Sequence, residues 1–199
     1  MTWRETVATL RADFAINEFA EPRVTLAVSR LGQSAHRRPG VLGFAVRRLH
    51  GVLDQLWTRS VIGAELPRSV PAGPGLRLPH AGRGVVIHSA TRLGSNITLY
   101  HQGTLGVRKS GIPPVVGDGV LLGVGARVLG PVHLGDGCGI GANAVVVTDV
   151  PAAGVDLGSP ARPVVRSADR TPPPADPGTE AAAAKVGADA LAPTATAQL

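Results

Sequence analysis

A six-residue repeat runs without interruption through the C-terminal half of the chain and constrains its fold more than any other feature. Between residues 116 and 151 a branched aliphatic residue opens every unit, namely Val116, Leu122, Val128, Leu134, Ile140 and Val146. An apolar residue follows four positions later, namely Val120, Ala126, Val132, Cys138, Ala144 and Val150. Glycine fills the second position in four of the six units, where it permits tight corners. The pattern predicts a three-sided prism of short strands, in which three units make one coil and the aliphatic residues stack inside.

The same frame extends towards the N-terminus with two interruptions. Further units begin at Ile87, Leu93 and Leu99. The step from Leu78 to Ile87 is nine residues instead of six, and the step from Leu105 to Val116 is eleven. This extra backbone must leave the prism as loops, and insertions in a solenoid tend to collect on its binding face.

Counting faces along this frame places two histidines at one corner of the prism. The units that start one coil apart on this face begin with Leu78, Leu99, Leu122 and Ile140. The third residues of these units are His80, His101, Val124 and Ala142. We therefore expect His80 and His101 to lie one above the other, about 4.8 Å apart per coil, with both loops starting beside them. Such a pair at the end of a smooth groove predicts an active site with a channel for a long, thin ligand.

The segments on either side of the repeats have different character. Residues 1–62 predict two or three amphipathic helices, whose apolar stripes should pack on the rest of the protein or on a partner subunit. The stripes are Trp3, Val7, Leu10 and Phe14, followed by Leu42, Val46, Leu49, Leu53 and Leu56. Residues 63–166 form the predicted repeat domain. Residues 167–199, which contain a proline run at 172–174 and few large apolar residues, predict a disordered tail.

Composition excludes several classes of function. The chain has 20 Lys+Arg against 14 Asp+Glu and only 3% aromatic residues, and its dispersed charge favours a solvated surface over nucleic-acid binding. A single cysteine, at an inward position of the repeat, excludes a thiolate zinc cluster and favours a cytoplasmic location. No stretch approaches the roughly 20 uncharged apolar residues of a transmembrane segment. The sequence also lacks the glycine-rich phosphate motifs of nucleotide-binding folds.

Several motifs resemble the serine acetyltransferase family of hexapeptide, left-handed β-helix acyltransferases. They are Leu78-Pro-His-Ala, Val85-Val86, Thr104-Leu-Gly, the repeat block and the closing Gly158-Ser-Pro-Ala-Arg-Pro-Val. Capsule and colanic-acid acetyltransferases are similar as well. The resemblance implies a mainly β protein, with a left-handed parallel β-helix preceded by a short α-helical segment. It also implies a homotrimer with active sites between adjacent prisms, acetyl-CoA as co-substrate and no metal.

The resemblance assigns roles to individual residues. His80 falls at the catalytic histidine, which takes a proton from the acceptor hydroxyl, and Glu65 falls at the carboxylate that orients it. His101 joins this predicted catalytic set because it stacks on His80. The residues that line the family's CoA channel correspond to Gly106, Val124, Ala142 and Arg162.

Three residues depart from the family pattern at the positions that hold serine. Pro79 replaces an aspartate, and Ile112 and Pro113 replace an arginine and a histidine. This predicts weaker recognition of serine unless other residues compensate, the candidates being Arg108, Lys109 and His101.

Three hypotheses for function remain. The first is an O-acetyltransferase that moves acetyl from acetyl-CoA to a small-molecule hydroxyl, by default that of L-serine in cysteine biosynthesis. The second is acetylation of a sugar hydroxyl in polysaccharide or natural-product assembly. The third is a non-catalytic β-helix that acts as a binding or structural subunit.

Overall fold

The structure, a computed structural model, describes residues 3–36 and 38–164, so the predicted tail at 167–199 lies outside the described residues. The described residues belong to one compact unit. Three helices come first, namely α1 (Trp3–Ile16), α2 (Ala20–Ala35) and α3 (Gly40–Leu53), and a π-helical turn (Asp54–Arg59) continues α3. No helix within the described ranges has the length and apolar character needed to cross a membrane.

Short strands follow and wind into a prism with three parallel sheets. They are β1 (Val86–Ile87), β2 (Arg92–Leu93), β3 (Thr98–Leu99), β4 (Thr104–Gly106), β5 (Val115–Val116), β6 (Leu121–Leu122), β7 (Arg127–Leu129), β8 (His133–Leu134), β9 (Gly139–Ile140), β10 (Val145–Val146), β11 (Val155–Leu157) and β12 (Arg162–Pro163). The first sheet has the order β1-β4-β7-β10, the second β2-β5-β8, and the third β3-β6-β9-β11-β12. All pairs are parallel except β11 with β12, which closes the prism.

The interior of the prism is built from the repeat positions that the sequence identified. The first and fifth residues of all six units are at most 3% exposed, which confirms the predicted phase of the repeat. In the third sheet Leu99 pairs with Leu122, which pairs with Ile140. A bridge between Arg77 and Thr98 places the preceding coil in the same register.

The helices cover the open edge of the first coil with polar side chains. That edge carries backbone N–H and C=O groups that no earlier coil of the described chain can pair, and such groups need partners when buried. Arg30 and Asp13 form a fully buried ion pair at 2.8 Å. Arg30 also donates to the carbonyl oxygens of Ala72 and Gly73 at 2.8 and 2.7 Å, while Asp13 accepts from the N–H of Leu76 at 2.9 Å.

This arrangement buries a different face of the helices from the one that the sequence predicted. Within α1 the buried residues are Thr6, Thr9 and Asp13, whereas Trp3 is 60% exposed. Leu42, Leu49 and Leu56 are all more than half exposed. The predicted stripes are therefore only partly covered within one chain, because the coil edge selects polar partners. Their other residues, Val7, Leu10, Phe14, Val46 and Leu53, are half-buried, so packing on the rest of the protein and packing on a partner subunit both stay predictions.

Candidate active site

A cavity of about 710 Å³ lies between the junction of α1 with α2 and the first two coils of the prism. The helical side contributes Ile16, Asn17, Glu18, Phe19, Glu21 and Pro22. The prism contributes Arg77, Leu78, Pro79, His80, Ala81, Arg83, Tyr100 and His101. Helical and repeat segments thus build one site, and it contains both histidines that the sequence placed at this corner.

The two histidine rings are in direct contact inside the cavity. Their centroids lie 4.9 Å apart and their planes are nearly perpendicular, at 86°. His80 is exposed to the cavity and His101 is half-buried, with its Nδ1 atom buried and without a hydrogen-bond partner. The contact confirms that His80 and His101 stack on successive coils.

His80 occupies a turn with unusual backbone conformation. The turn Pro79–Gly82 holds His80 at φ 55° and Ala81 at φ 62°, both in the left-handed region. This region costs a residue with a Cβ atom about 1–2 kcal/mol, and such conformations persist where the surrounding structure fixes them. The N–H of Arg83 donates to the carbonyl oxygen of His80 at 3.2 Å and closes the turn. The turn holds the imidazole towards the cavity.

Asn17 anchors the strand that leads into this turn. The side-chain oxygen of Asn17 accepts from the N–H of Leu78 at 3.0 Å. Its Nδ2 donates to the carbonyl oxygens of Leu76 and Asp13 at 2.9 and 2.7 Å. Nothing in the sequence identifies Asn17 as a site residue, because no periodicity connects a residue between two helices with a strand about 60 positions later.

The cavity also carries charged groups of both signs that the sequence analysis missed. Glu18 and Glu21 line its helical side, and Arg77 and Arg83 line its prism side. None of the four forms an ion pair with another residue of the described chain. Arg77 could have been found by its position, since it precedes the inward residue Leu78 on a strand and must point outwards.

Glu65 does not line the cavity. Its backbone pairs with Val86 in the first sheet, and its side chain is 53% exposed and lies 3.5 Å from Arg59. No hydrogen bond between described residues joins Glu65 to His80. The orienting role of Glu65 therefore stays a prediction.

The residues predicted to line a CoA channel do not line this cavity, but two of them lie farther along the same edge of the prism. The N–H of Gly125 donates to the carbonyl oxygen of His101, and the N–H of Asn143 donates to that of Val124. Val124 and Ala142 therefore follow His101 along one edge of the prism. Two others lie elsewhere, Gly106 in β4 and Arg162 in β12.

The second loop lies farther from the histidines than the sequence analysis expected. It connects β4 to β5 and so leaves the prism at the next corner, between the first and second sheets. Ile112 is 54% exposed there, and neither Arg108 nor Lys109 lines the cavity. The expectation that both loops start beside the histidine corner is wrong for this loop, because β4 continues the first sheet past that corner before the chain leaves the prism.

Neither a reactive thiol nor a metal centre is found in the described part of the chain. Cys138 is 1% exposed, and burial raises the pKa of its thiol to about 11, which confirms that it is an inert core residue. No three histidine, cysteine or carboxylate side chains within residues 3–36 and 38–164 are grouped so that they could hold a metal ion.

Comparisons with known proteins agree on one group of relatives. Residues 113–148 match the family "Bacterial transferase hexapeptide (six repeats)". A serine acetyltransferase from Helicobacter pylori (strain ATCC 700392 / 26695) is 38% identical over 140 residues, which cover 69% of this chain and 77% of the relative.

Solved structures show the same architecture. Soybean serine acetyltransferase complexed with serine is 30% identical, with a TM-score of 0.64 over 81% of this chain and 68% of that chain. A serine acetyltransferase in complex with CoA is 23% identical, with a TM-score of 0.66 over 81% of this chain and 71% of that chain. These likenesses confirm the predicted left-handed parallel β-helix preceded by helices.

Proposed function

The chain belongs to the serine acetyltransferase family of acetyl-CoA-dependent O-acyltransferases, and we propose that its cavity binds L-serine and acetylates the serine hydroxyl in cysteine biosynthesis. The observation that carries this proposal is the contact between His80 and His101, at 4.9 Å, inside a cavity lined by charged groups of both signs. A relative of known structure binds serine, and another binds CoA.

His80 acts as the general base. A serine hydroxyl is a weak nucleophile at neutral pH, because it holds its proton tightly. As the hydroxyl oxygen attacks the thioester carbonyl carbon, the imidazole of His80 accepts the hydroxyl proton. The carbon–sulfur bond then breaks, and the imidazolium returns this proton to the departing sulfur. General base catalysis of this kind contributes about 10²–10⁴-fold to the rate.

His101 restricts the orientation of the base. Its ring meets that of His80 edge to face, an arrangement that aromatic pairs favour. Because His101 is half-buried and belongs to the rigid corner of the next coil, it limits the rotation of the exposed His80 ring.

The carboxylates on the helical side of the cavity fit the ammonium group of the acceptor. Glu18 precedes α2 and Glu21 lies in its first turn, and neither is neutralised by an ion pair with a described residue. A positively charged amino group placed between them and His80 would bring the adjacent hydroxymethyl group towards the imidazole.

The donor acetyl-CoA fits along the corner above the histidines. We place its pantetheine arm past the half-buried Val124 and the exposed Ala142, whose small side chains leave the edge of the prism smooth. Gly106 and Arg162 complete the proposed CoA-binding set. This places the thioester at the His80 end of the corner, where the acceptor hydroxyl lies.

Glu65 is proposed as the carboxylate that orients His80. Its ion pair with Arg59 is exposed, and pairs of this kind contribute only about 0–1 kcal/mol. Little free energy therefore opposes a rotation of the Glu65 side chain towards the imidazole when substrate is bound.

A homotrimer is the proposed assembly. Large apolar side chains point outwards from the strands at Val86, Val115, Leu121 and Leu157, each at least 37% exposed. Trp3 of α1 and Leu42 and Leu49 of α3 are exposed as well. Closed rotational symmetry is the usual way to cover such surfaces. The proposed cytoplasmic location rests on the single cysteine.

Release of CoA from acetyl-CoA, measured with L-serine, homoserine and a set of sugars, tests this function. We expect turnover with L-serine. His80→Ala should lower kcat by at least about 10²-fold, while calorimetry shows nearly unchanged CoA binding. His133→Ala removes an exposed histidine of β8 and is the matched control.

Three results would contradict the proposal in different ways. Near wild-type turnover by His80→Ala would show that His80 is not the general base. Turnover with sugars but not with serine would favour the polysaccharide hypothesis. A protein that neither turns over nor binds CoA would be a binding or structural subunit.

A further inference from the structure

One guanidinium group in the cavity has a fixed backbone and no partner. The N–H of Arg77 donates to the carbonyl oxygen of Ile97, and its own carbonyl oxygen accepts from the N–H of Leu99. These bonds fix Arg77 to the neighbouring coil, with its side chain outwards, three residues before His80. Its guanidinium makes no hydrogen bond or ion pair with any residue of the described chain, although it lines the cavity.

Resting on the proposed function, we propose that Arg77 binds the carboxylate of the amino-acid acceptor and so determines specificity for it. An amino acid carries an ammonium and a carboxylate group on one carbon atom. The cavity offers carboxylates on its helical side, at Glu18 and Glu21, and Arg77 on its prism side. An arginine fork matches a carboxylate with two parallel N–H···O bonds, so the pair fixes both the position and the orientation of the acceptor.

Other cationic side chains near the site are less suited to this role. Arg83 also lines the cavity, but its guanidinium already donates to the carbonyl oxygen of Val61 at 3.2 Å. Arg108 lies in the loop between β4 and β5, where the aliphatic part of its side chain packs beside Gly130. Lys109 is exposed in the same loop. Of the two arginines that line the cavity, Arg77 is the one whose guanidinium N–H groups are all available to a ligand.

The position also explains how this chain can hold serine without the loop residues of its family. Ile112 and Pro113 provide no positive charge, and their loop leaves the prism at another corner. Arg77, on the strand before His80, is closer in sequence to the base than these loop residues are. Its backbone is held by hydrogen bonds to the neighbouring coil instead of by a loop. The same coil therefore carries both the base and the proposed carboxylate anchor.

The test compares L-serine with L-serinamide, which keeps the ammonium and hydroxyl groups but lacks the carboxylate charge. Arg77→Met should raise KM for L-serine about 10- to 100-fold, the effect of losing a hydrogen bond to a charged group. KM for L-serinamide and for acetyl-CoA should stay near wild type. The preference for L-serine over L-serinamide should therefore collapse in this variant, a result that a loss of structure alone would not produce.

Three further variants make the comparison specific. Arg92→Met removes an exposed arginine from β2, outside this cavity, and is the matched control. Arg83→Met should keep the preference for L-serine. Arg77→Lys, which retains the charge without the fork, should give an intermediate KM. It also serves as the second variant if Arg77→Met fails to fold.

Calorimetric titration of L-serine into the protein without acetyl-CoA separates failure of this inference from failure of the proposed function. Binding of L-serine that Arg77→Met weakens about 10- to 100-fold supports the inference even if turnover is absent. Equal preference for L-serine over L-serinamide in wild type and Arg77→Met would overturn it. Collapse of that preference in Arg83→Met, or no binding of L-serine by the wild-type protein, would overturn it as well.

Discussion

Replacing Asn17 with alanine should lower both stability and turnover, because this side chain connects the helices to the strand that leads into the His80 turn. Asn17 is 4% exposed and makes hydrogen bonds to Leu78, Leu76 and Asp13 at 3.0, 2.9 and 2.7 Å. The substitution leaves an N–H and a C=O group of the coil edge without partners. Each such buried group costs about 1–3 kcal/mol, so we expect the free energy of unfolding to fall by about 2–6 kcal/mol.

Denaturant unfolding and thermal melting measure this loss directly. For a chain of this size 1 kcal/mol corresponds to about 2–4 °C, so a loss of about 3 kcal/mol lowers Tm by about 6–12 °C. The kcat should also fall at temperatures where the variant is fully folded, because Leu78 directly precedes the turn. Displacement of a catalytic group by about 1 Å can cost up to 10²-fold in rate.

Gln33→Ala is the matched control for this prediction. Gln33 also caps the edge of the first coil, since its Nε2 donates to the carbonyl oxygen of Val70 at 3.0 Å, but Val70 is remote from the His80 turn in sequence. We expect Gln33→Ala to lose stability without a change in kcat. If Asn17→Ala melts with the wild type, the edge-capping argument is wrong. If both variants lose kcat equally, the connection from Asn17 to the turn is wrong.

Three further predictions follow from other parts of the fold. Val124→Trp should weaken CoA binding in calorimetry with little change in Tm, because the indole would fill the proposed channel; unchanged affinity would refute that placement. Gly32→Ala should lower Tm by several degrees, because the added Cβ atom would collide with the buried ring of His50; a melt like that of wild type would show that α2 and α3 can separate at no cost. Asp156 is 2% exposed, and burial raises its pKa. Its protonated form therefore contributes stability below about pH 3.9, the pKa of an aspartate in the unfolded chain. This contribution is lost as the pH rises through the raised pKa of the folded state. Asp156→Asn should therefore stabilise the protein at pH 7 and give no advantage near pH 3, as measured by denaturant unfolding at both pH values.

The sequence alone determined the interior of the prism. In a solenoid each coil packs mainly on its neighbours, so a local rule, one aliphatic residue at every sixth position, decides which side chains point inwards. Val116 and Cys138 are buried for this reason. The same counting placed His101 directly above His80, because a stack of equal coils converts sequence spacing into spatial position.

Only the tertiary structure decided how the helices meet the prism. The apolar stripe that begins at Trp3 predicted the buried face of α1, but the buried residues are Thr6, Thr9 and Asp13, which lie on a neighbouring, polar face. The reason is the open edge of the first coil, whose unpaired backbone groups require Asp13, Asn17 and Arg30 as partners. No helical periodicity contains that requirement, because it arises from a segment 42 to 63 residues further along the chain.

The cavity has the same origin. His80, His101 and Arg77 follow from the frame of the repeat, but Glu18 and Glu21 face them only because α1 and α2 dock on the first coil. The sequence therefore determined the position of the base, whereas the docked helices decided which carboxylates line the cavity. The stacking of one coil on the next repeats along a solenoid, so sequence spacing predicts it. The contact between the helices and the first coil occurs only once, and it depends on which backbone groups of that coil remain unpaired.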